Sequence, residues 1–293
     1  MNPFLAKFVS SPSLSPPAAA GSADPTPAIA AAQWRRRTAQ WLNQCAATLC
    51  GFGLLLAAWQ LVSMNIVGIP GPAPTFRSAA VLFADPFYDK GPNDMGIGWN
   101  ILASLGRVAA GFALAAAVGI PAGFLIGRYK PLDAICAPVI SLLRPVSPLA
   151  WLPLGLLLFK AANPAAIWAI FICSIWPLII NTADGVRRVP QDYMNVARVL
   201  NLPESTVFAR ILLPAALPHM LTGVRLSIGT AWLVIVAAEM LTGGTGIGFW
   251  LWDEWNNLNV QHILVAIFVI GAVGLALDAA LGALARHLDY KGE

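Results

Sequence analysis

The stretch ADGVRRVPQDYMNVARVLNLPESTVFARILLPAALP, residues 183–218, decides how this chain is to be read. It separates two long apolar runs, and it is too long for a simple turn and too patterned for a linker. From Asp192 to Leu200 the apolar residues Tyr193, Val196 with Ala197, and Leu200 recur at helical spacing. Asn201 stands where that helix would stop, and asparagine is the non-glycine residue best suited to the left-handed position after a helix end. Leu202-Pro203 follows, with proline fitted to the first turn of a new helix. The segment predicts a short amphipathic helix over 192–201, a sharp corner and a second helix. A short amphipathic helix of this kind either lies on lipid or offers a ridge to a partner's groove.

Working outward, the flanking runs are long enough to cross a bilayer, which takes about 20 apolar residues. They fall at residues 43–64, 101–127, 132–182, 219–241 and 262–285. The run over 132–182 must be two helices, because at about 1.5 Å per residue it would cross a bilayer more than twice. KAANP, Lys160 to Pro164, is its natural break. Six spans result, and the fold class is all-α integral membrane. The composition agrees: of 293 residues, 58% are hydrophobic and only 11% charged, with a mean hydropathy of +0.69. A soluble domain carries about 25% charged residues, so a soluble enzyme, a disordered scaffold and a nucleic-acid binder are excluded. Residues 1–42, rich in Ala, Pro and Ser, read as a disordered tail. The four cysteines, Cys45, Cys50, Cys136 and Cys173, lie in apolar stretches without metal-ligand spacing and read as small hydrophobes.

Basic residues fix the expected orientation. With the N-terminus inside, the cytoplasmic segments hold Lys7, Arg35, Arg36, Arg37, Arg128, Lys130, Arg187, Arg188, Arg198, Arg210, Arg225, Arg286 and Lys291, which is 13 of the 18. Asp85, Asp89, Asp94, Asp253 and Glu254 then fall outside, and tryptophans sit at span ends. Both termini are expected in the cytoplasm.

Few polar groups interrupt the spans. Gly119, Gly123 and Gly127 repeat every fourth residue in the second span, a spacing that lets two helix backbones approach, within one subunit or between two copies. Pro138, Pro145, Pro148 and Pro153 make the third span bent or partly irregular. Arg144 lies among them, and an unpaired arginine at the bilayer centre costs at least ~2.5–3.5 kcal/mol. It reads either as one half of a structural pair, with Glu239 the candidate partner, or as a contact for an anion in transit. Asp278 reads as a second buried, structural acid.

With these residues in view the chain resembles the membrane subunits of binding-protein-dependent ABC importers. Their cytoplasmic motif runs Glu-Ala-Ala, three residues, Gly, nine residues, Ile-x-Leu-Pro. Here Asn195-Val196-Ala197 is followed by three residues, Asn201, nine residues, and Ile211-Leu212-Leu213-Pro214. LRPVSPLAWLPL (143–154), NVARVL (195–200) and AAEMLTGGTGIGFWLWDEWNNLN (237–259) resemble the nitrate branch of the taurine–sulfonate–nitrate permeases. The likeness spans residues 98–285; residues 43–97, the first span and an outer segment, fit more loosely.

The resemblance implies a permease core over 98–293, paired with a second copy as a homodimer in a bacterial inner membrane. It implies two cytosolic ABC ATPases and a soluble or lipid-anchored binding protein outside, with no nucleic acid. The substrate implied is a small inorganic anion, nitrate first, with nitrite, cyanate and bicarbonate close by. A sulfonate or taurine permease and a self-contained secondary anion transporter are the alternatives. No cofactor, metal or catalytic residue is expected: the chain has no G-x-x-x-x-G-K-[ST] phosphate loop, no metal-ligating constellation and no nucleophile beside a base. Tyr193, Asn195, Val196, Ala197, Leu200, Asn201, Ile211, Leu213 and Pro214 would then form the ATPase-coupling element. Trp252, Asp253, Glu254 and Trp255 would receive the binding protein or, on the plainer reading, anchor the chain at the membrane interface.

Overall fold

The structure is a computed structural model that describes residues 27–91 and 94–289. Most of the expected tail therefore lies outside the described residues. Helix α1, Pro27–Asn65, nevertheless begins inside the stretch read as unstructured, and residues 27–42 belong to it. The chain divides into two compact units, Met1–Val62 and Ser63–Glu293. Within the first, α1 contains most of the first apolar run, and Ala46–Asn65 is long and apolar enough to cross a membrane.

The second unit is built from helices α2 (Pro72–Leu82), α3 (Ile97–Arg128), α4 (Lys130–Leu143), α5 (Pro148–Phe159), α6 (Ala162–Arg187), α7 (Gln191–Val199), α8 (Glu204–Val207), α9 (Leu213–Thr242), α10 (Ile247–Asn256) and α11 (Val260–Asp289). Among the described residues five helices are long and apolar enough to span a bilayer, and α4 with α5 makes a sixth if the pair is one bent span. The bend is 98° and falls at Arg144–Ser147, between Pro145 and Pro148. Proline cannot donate the backbone bond a continuous helix needs there. The break between α5 and α6 comes at Lys160, in a left-handed conformation with φ 53°. Pro164 then sits in the first turn of α6, where a missing N–H costs nothing.

Helices α3, α6 and α9 pack side by side as the centre of this unit. The glycine stripe of α3 faces α6, so it serves packing within one subunit. A Cβ on Gly123 would stand 2.7 Å from Thr182 Cβ, and one on Gly127 2.7 Å from the Ala183 carbonyl. In lipid the apolar environment gives helices no hydrophobic reason to associate, so such backbone proximity supplies the attraction through dispersion. Helices α6 and α9 add a reciprocal polar contact: Ser227 Oγ donates to the Ser174 carbonyl at 2.7 Å and Ser174 Oγ to the Ser227 carbonyl at 3.4 Å. Trp232 Nε1 ties α9 to the Ile270 carbonyl of α11 at 3.0 Å.

The second helix of the 183–218 segment does not end before the fifth span but continues into it, as a single run Glu204–Thr242. A π-helical turn at Phe208–Leu212 makes this possible: the Leu213 N–H reaches back five residues to the Phe208 carbonyl. The widened turn ends immediately before Pro214, which has no N–H to offer and whose ring would crowd the preceding turn of a regular helix.

Candidate functional site

Helix α7 ends in the corner its sequence anticipates. The Leu202 N–H bonds the Ala197 carbonyl and the Asn201 N–H the Arg198 carbonyl, each at 3.0 Å, while Asn201 takes φ 47°. Paired bonds of this kind around a left-handed residue close a helix and turn the chain sharply. Met194 and Ala197 point inward, against Val186, Val207, Leu212 and Ala216. On the opposite side Tyr193, Val196, Val199 and Leu200 are exposed, Val199 to 81%. Helix α7 therefore has one face in the core and one apolar face exposed among the described residues.

The expected coupling residues divide accordingly. Tyr193, Asn195, Val196, Leu200 and Asn201 are exposed, and Asn195 Oδ1 accepts from Arg198 at 3.3 Å. Ala197 is only 3% exposed and packs in the core behind the exposed ridge. Ile211 and Leu213 are also partly buried against the same cluster, and Pro214 is exposed. Leu212, which the sequence reading passed over, is the buried anchor of this motif.

At the other end of α9, Glu239 is 1% exposed. Its partner is Arg107 on α3, not Arg144: Arg107 Nη1 lies 2.6 Å from Glu239 Oε1. The same carboxylate accepts from Ser104 Oγ at 2.8 and 2.9 Å and from the Gly248 N–H at 3.0 Å. Asn100 Oδ1 receives the Gly246 N–H at 2.9 Å, and Ser104 Oγ the Ile247 N–H at 3.0 Å. Arg107 Nε donates to Asn163 Oδ1 at the start of α6, at 2.7 Å. The carboxylate thus caps the N-terminus of α10, where unsatisfied N–H groups and the helix dipole favour negative charge. Gly246, with φ 152°, is required there because a Cβ would run into the Glu239 carboxylate. The signal for this cluster was present as the glycines of LTGGTGIG following Glu239.

Arg144 instead lines a cavity of about 550 Å³ between α3, α4 and α6, with Asp133, Ser141, Asp184 and Arg187 in its wall. The two carboxylates are taken by Arg187, whose Nη2 lies 2.5 Å from Asp133 Oδ1 and Nη1 3.1 Å from Asp184 Oδ1. Arg144 is exposed within the subunit. Asp278 is not a buried acid: it is half exposed and pairs with Arg225 through two contacts of 2.5 and 2.6 Å.

On α10, Trp252 and Trp255 are exposed. Asp253 and Glu254 are partly buried; Asp253 Oδ2 accepts from Asn257 at 3.3 Å, and Glu254 Oε1 lies 2.9 Å from His262 Nδ1. His262 in turn stacks on Trp250 at 5.8 Å. Nearby, partial burial and a hydrogen bond to Asp94 hold the Tyr88 phenol above its ordinary pKa.

A bundle of membrane-crossing helices interrupted by one short helix and a sharp corner defines a class. The chain belongs to the family described as the binding-protein-dependent transport system inner membrane component, which matches residues 119–291. Among its relatives, the nitrate import permease protein NrtB of Leptolyngbya laminosa is 47% identical over 82% of this chain and 86% of its own length. The bicarbonate transport system permease protein CmpB of a Synechocystis strain is 45% identical over 86% of this chain and 90% of its own. A chain of the inward-facing MetNI methionine ABC transporter shares the fold, with a TM-score of 0.55 and 15% identity over 64% of this chain and 94% of that one.

Proposed function

We propose that this chain is the membrane-spanning subunit of an ATP-driven importer for a small inorganic anion, nitrate foremost. Two copies form the pathway, two cytosolic ATPases power it, and a binding protein delivers the anion from outside. The α7 end faces the cytoplasm, in keeping with the 13 basic residues expected there, and both termini lie on that side. The observation that carries this reading is the exposed apolar face of α7, Tyr193, Val196, Val199 and Leu200, next to the hydrogen-bonded Asn201 corner. An ATPase groove covers that face, and nucleotide-driven closure of the ATPases moves it. Trp252, Asp253, Glu254 and Trp255 receive the binding protein at the opposite end. Arg144, in its cavity beside the α4–α5 bend, meets the anion on its way through.

The bicarbonate permease relative, at 45% identity over 259 residues, supports bicarbonate as the second reading. The test is to purify the chain with its native partners, reconstitute it in liposomes, and measure ATP hydrolysis and uptake with nitrate, bicarbonate and taurine each supplied with the binding protein. Nitrate-stimulated hydrolysis with coupled uptake is expected. Stimulation by bicarbonate alone transfers the assignment to that anion, and anion flux through the chain without ATPases overturns the importer reading.

A further inference from the structure

The α7 end of the bundle holds a second cleft, apart from the exposed α7 ridge. It measures about 530 Å³ and opens between the end of α3, the start of α4, the end of α6 and one side of α7. Arg128, Lys130, Arg187 and Arg198 line it, and Asp133 is the one carboxylate in its wall. Two of these cations already have acids: Arg187 lies between Asp133 and Asp184, and Arg128 gives one Nη to Glu204 at 3.3 Å. Lys130 and Arg198 have no carboxylate partner among the described residues. Arg128 Nε is shut away from solvent with no acceptor among the described residues. A buried donor without an acceptor is costly, and Arg128 is one of the residues that line the cleft.

Its surroundings narrow the chemistry. Leu125 on α3 and Leu132 and Ile135 on α4 are exposed, and Tyr129 joins the two helices half exposed. An aromatic at the junction of two apolar helices marks the headgroup level of a bilayer. Basic pockets between membrane helices at that level bind anionic headgroups. We propose that this cleft seats the phosphate of an anionic membrane phospholipid, whose acyl chains lie along the exposed flank of α3 and α4. Helix α7 contributes Gln191, Met194 and Arg198 to the cleft, the side opposite Tyr193, Val196 and Leu200. The lipid therefore clamps α7 to the ends of α3, α4 and α6 without occupying its exposed ridge.

The experiment is native mass spectrometry of the full chain, delipidated and titrated with phosphatidylglycerol, phosphatidylcholine or inorganic phosphate. Tight binding of phosphatidylglycerol over phosphatidylcholine is expected. The Lys130→Gln/Arg198→Gln double variant should weaken it roughly 30-fold, since each basic residue near an anionic lipid surface contributes about five-fold. Arg210→Gln/Arg286→Gln removes the same charge away from the cleft and should leave binding unchanged. If the double variant melts early, Lys130→Gln alone should still show about five-fold weakening. Equal affinity for the two lipids, or equal loss in both double variants, overturns the proposal. So does complete displacement of phosphatidylglycerol by millimolar inorganic phosphate, which assigns the cleft to a free oxyanion.

Discussion

Arg107 on α3 and Glu239 on α9 meet at 2.6 Å, although 132 residues separate them in the chain. The contact is one strand of a polar knot that also holds Ser104, Asn100, Asn163 and the first N–H groups of α10. Because the carboxylate is buried, the value of the pair lies in what happens when it is broken. Removing one partner of a buried ion pair leaves an uncompensated charge and costs about 3–5 kcal/mol, whereas replacing both with neutral groups of like size is often close to neutral. Arg107→Ala should therefore lower the thermal midpoint in detergent strongly. Arg107→Met combined with Glu239→Gln should recover most of the loss, because glutamine keeps an oxygen for the Gly248 N–H. A double variant as unstable as the single one would contradict this account.

The α3 stripe gives a contrast within one helix. Gly123→Ala and Gly127→Ala should each cost about 1–3 kcal/mol by forcing α3 away from α6. Gly106, with nothing within 4 Å of its would-be Cβ, should accept alanine within about 1 kcal/mol of neutral. Thermal midpoints of the three purified variants check the ordering.

Substitutions on α7 should separate assembly from folding. Val196→Asp and Val199→Asp change exposed positions and should leave the chain's melting unchanged while abolishing co-purification of the ATPases. Ala197→Asp puts a carboxylate into the core and should destabilise the chain itself by several kcal/mol, at the upper end of what single changes do. Co-purification that survives Val196→Asp and Val199→Asp together would remove α7 from the interface.

The Asn201 corner makes a fourth, smaller prediction. A left-handed conformation costs an ordinary L-residue about 1–2 kcal/mol, and asparagine and glycine less. Asn201→Gly should be neutral or slightly stabilising, and Asn201→Val should lower both the melting temperature and substrate-stimulated ATP hydrolysis in the assembled complex. Equal behaviour of glycine and valine would show that the backbone angle is not what matters.

Arg144 supplies a fifth. If it meets the anion in transit, Arg144→Met should reduce uptake per ATP hydrolysed at least ten-fold while the complex stays assembled and its melting stays within a degree or two. Unchanged uptake would leave Arg144 as a positive charge at the bend and nothing more.

The spans were legible because crossing a bilayer needs about 20 apolar residues in a row, and such runs are local facts of the chain. The corner was legible for the same reason: Asn201, Leu202 and Pro203 carry it within three positions. The 98° bend announced itself through Pro145 and Pro148. What local reading could not supply was the third dimension. Glu239 was matched to Arg144 because both sat in spans, but pairing depends on which helix faces are opposed, and Ser104 and Arg107 share the face of α3 that meets α9. Nor does adjacency in the motif separate Val196 from Ala197, which point about 100° apart on the helix, one exposed and one buried. The continuity of α8 with α9 rests on the π turn at Phe208–Leu212, which no local pattern of residues marks.

That continuity has a mechanical meaning. The run Glu204–Thr242 comprises 39 residues, about 58 Å of helix at 1.5 Å per residue. Its near end is welded to the corner beneath α7, and its far end carries the carboxylate that grips α3 and α10. A tilt of about 5° at the corner swings the far end by about 5 Å, close to one helical pitch. No relay of side-chain rearrangements is needed between the two faces of the membrane. On the importer reading, leverage would carry a displacement across, and either Arg107 would travel with Glu239 or their grip would open.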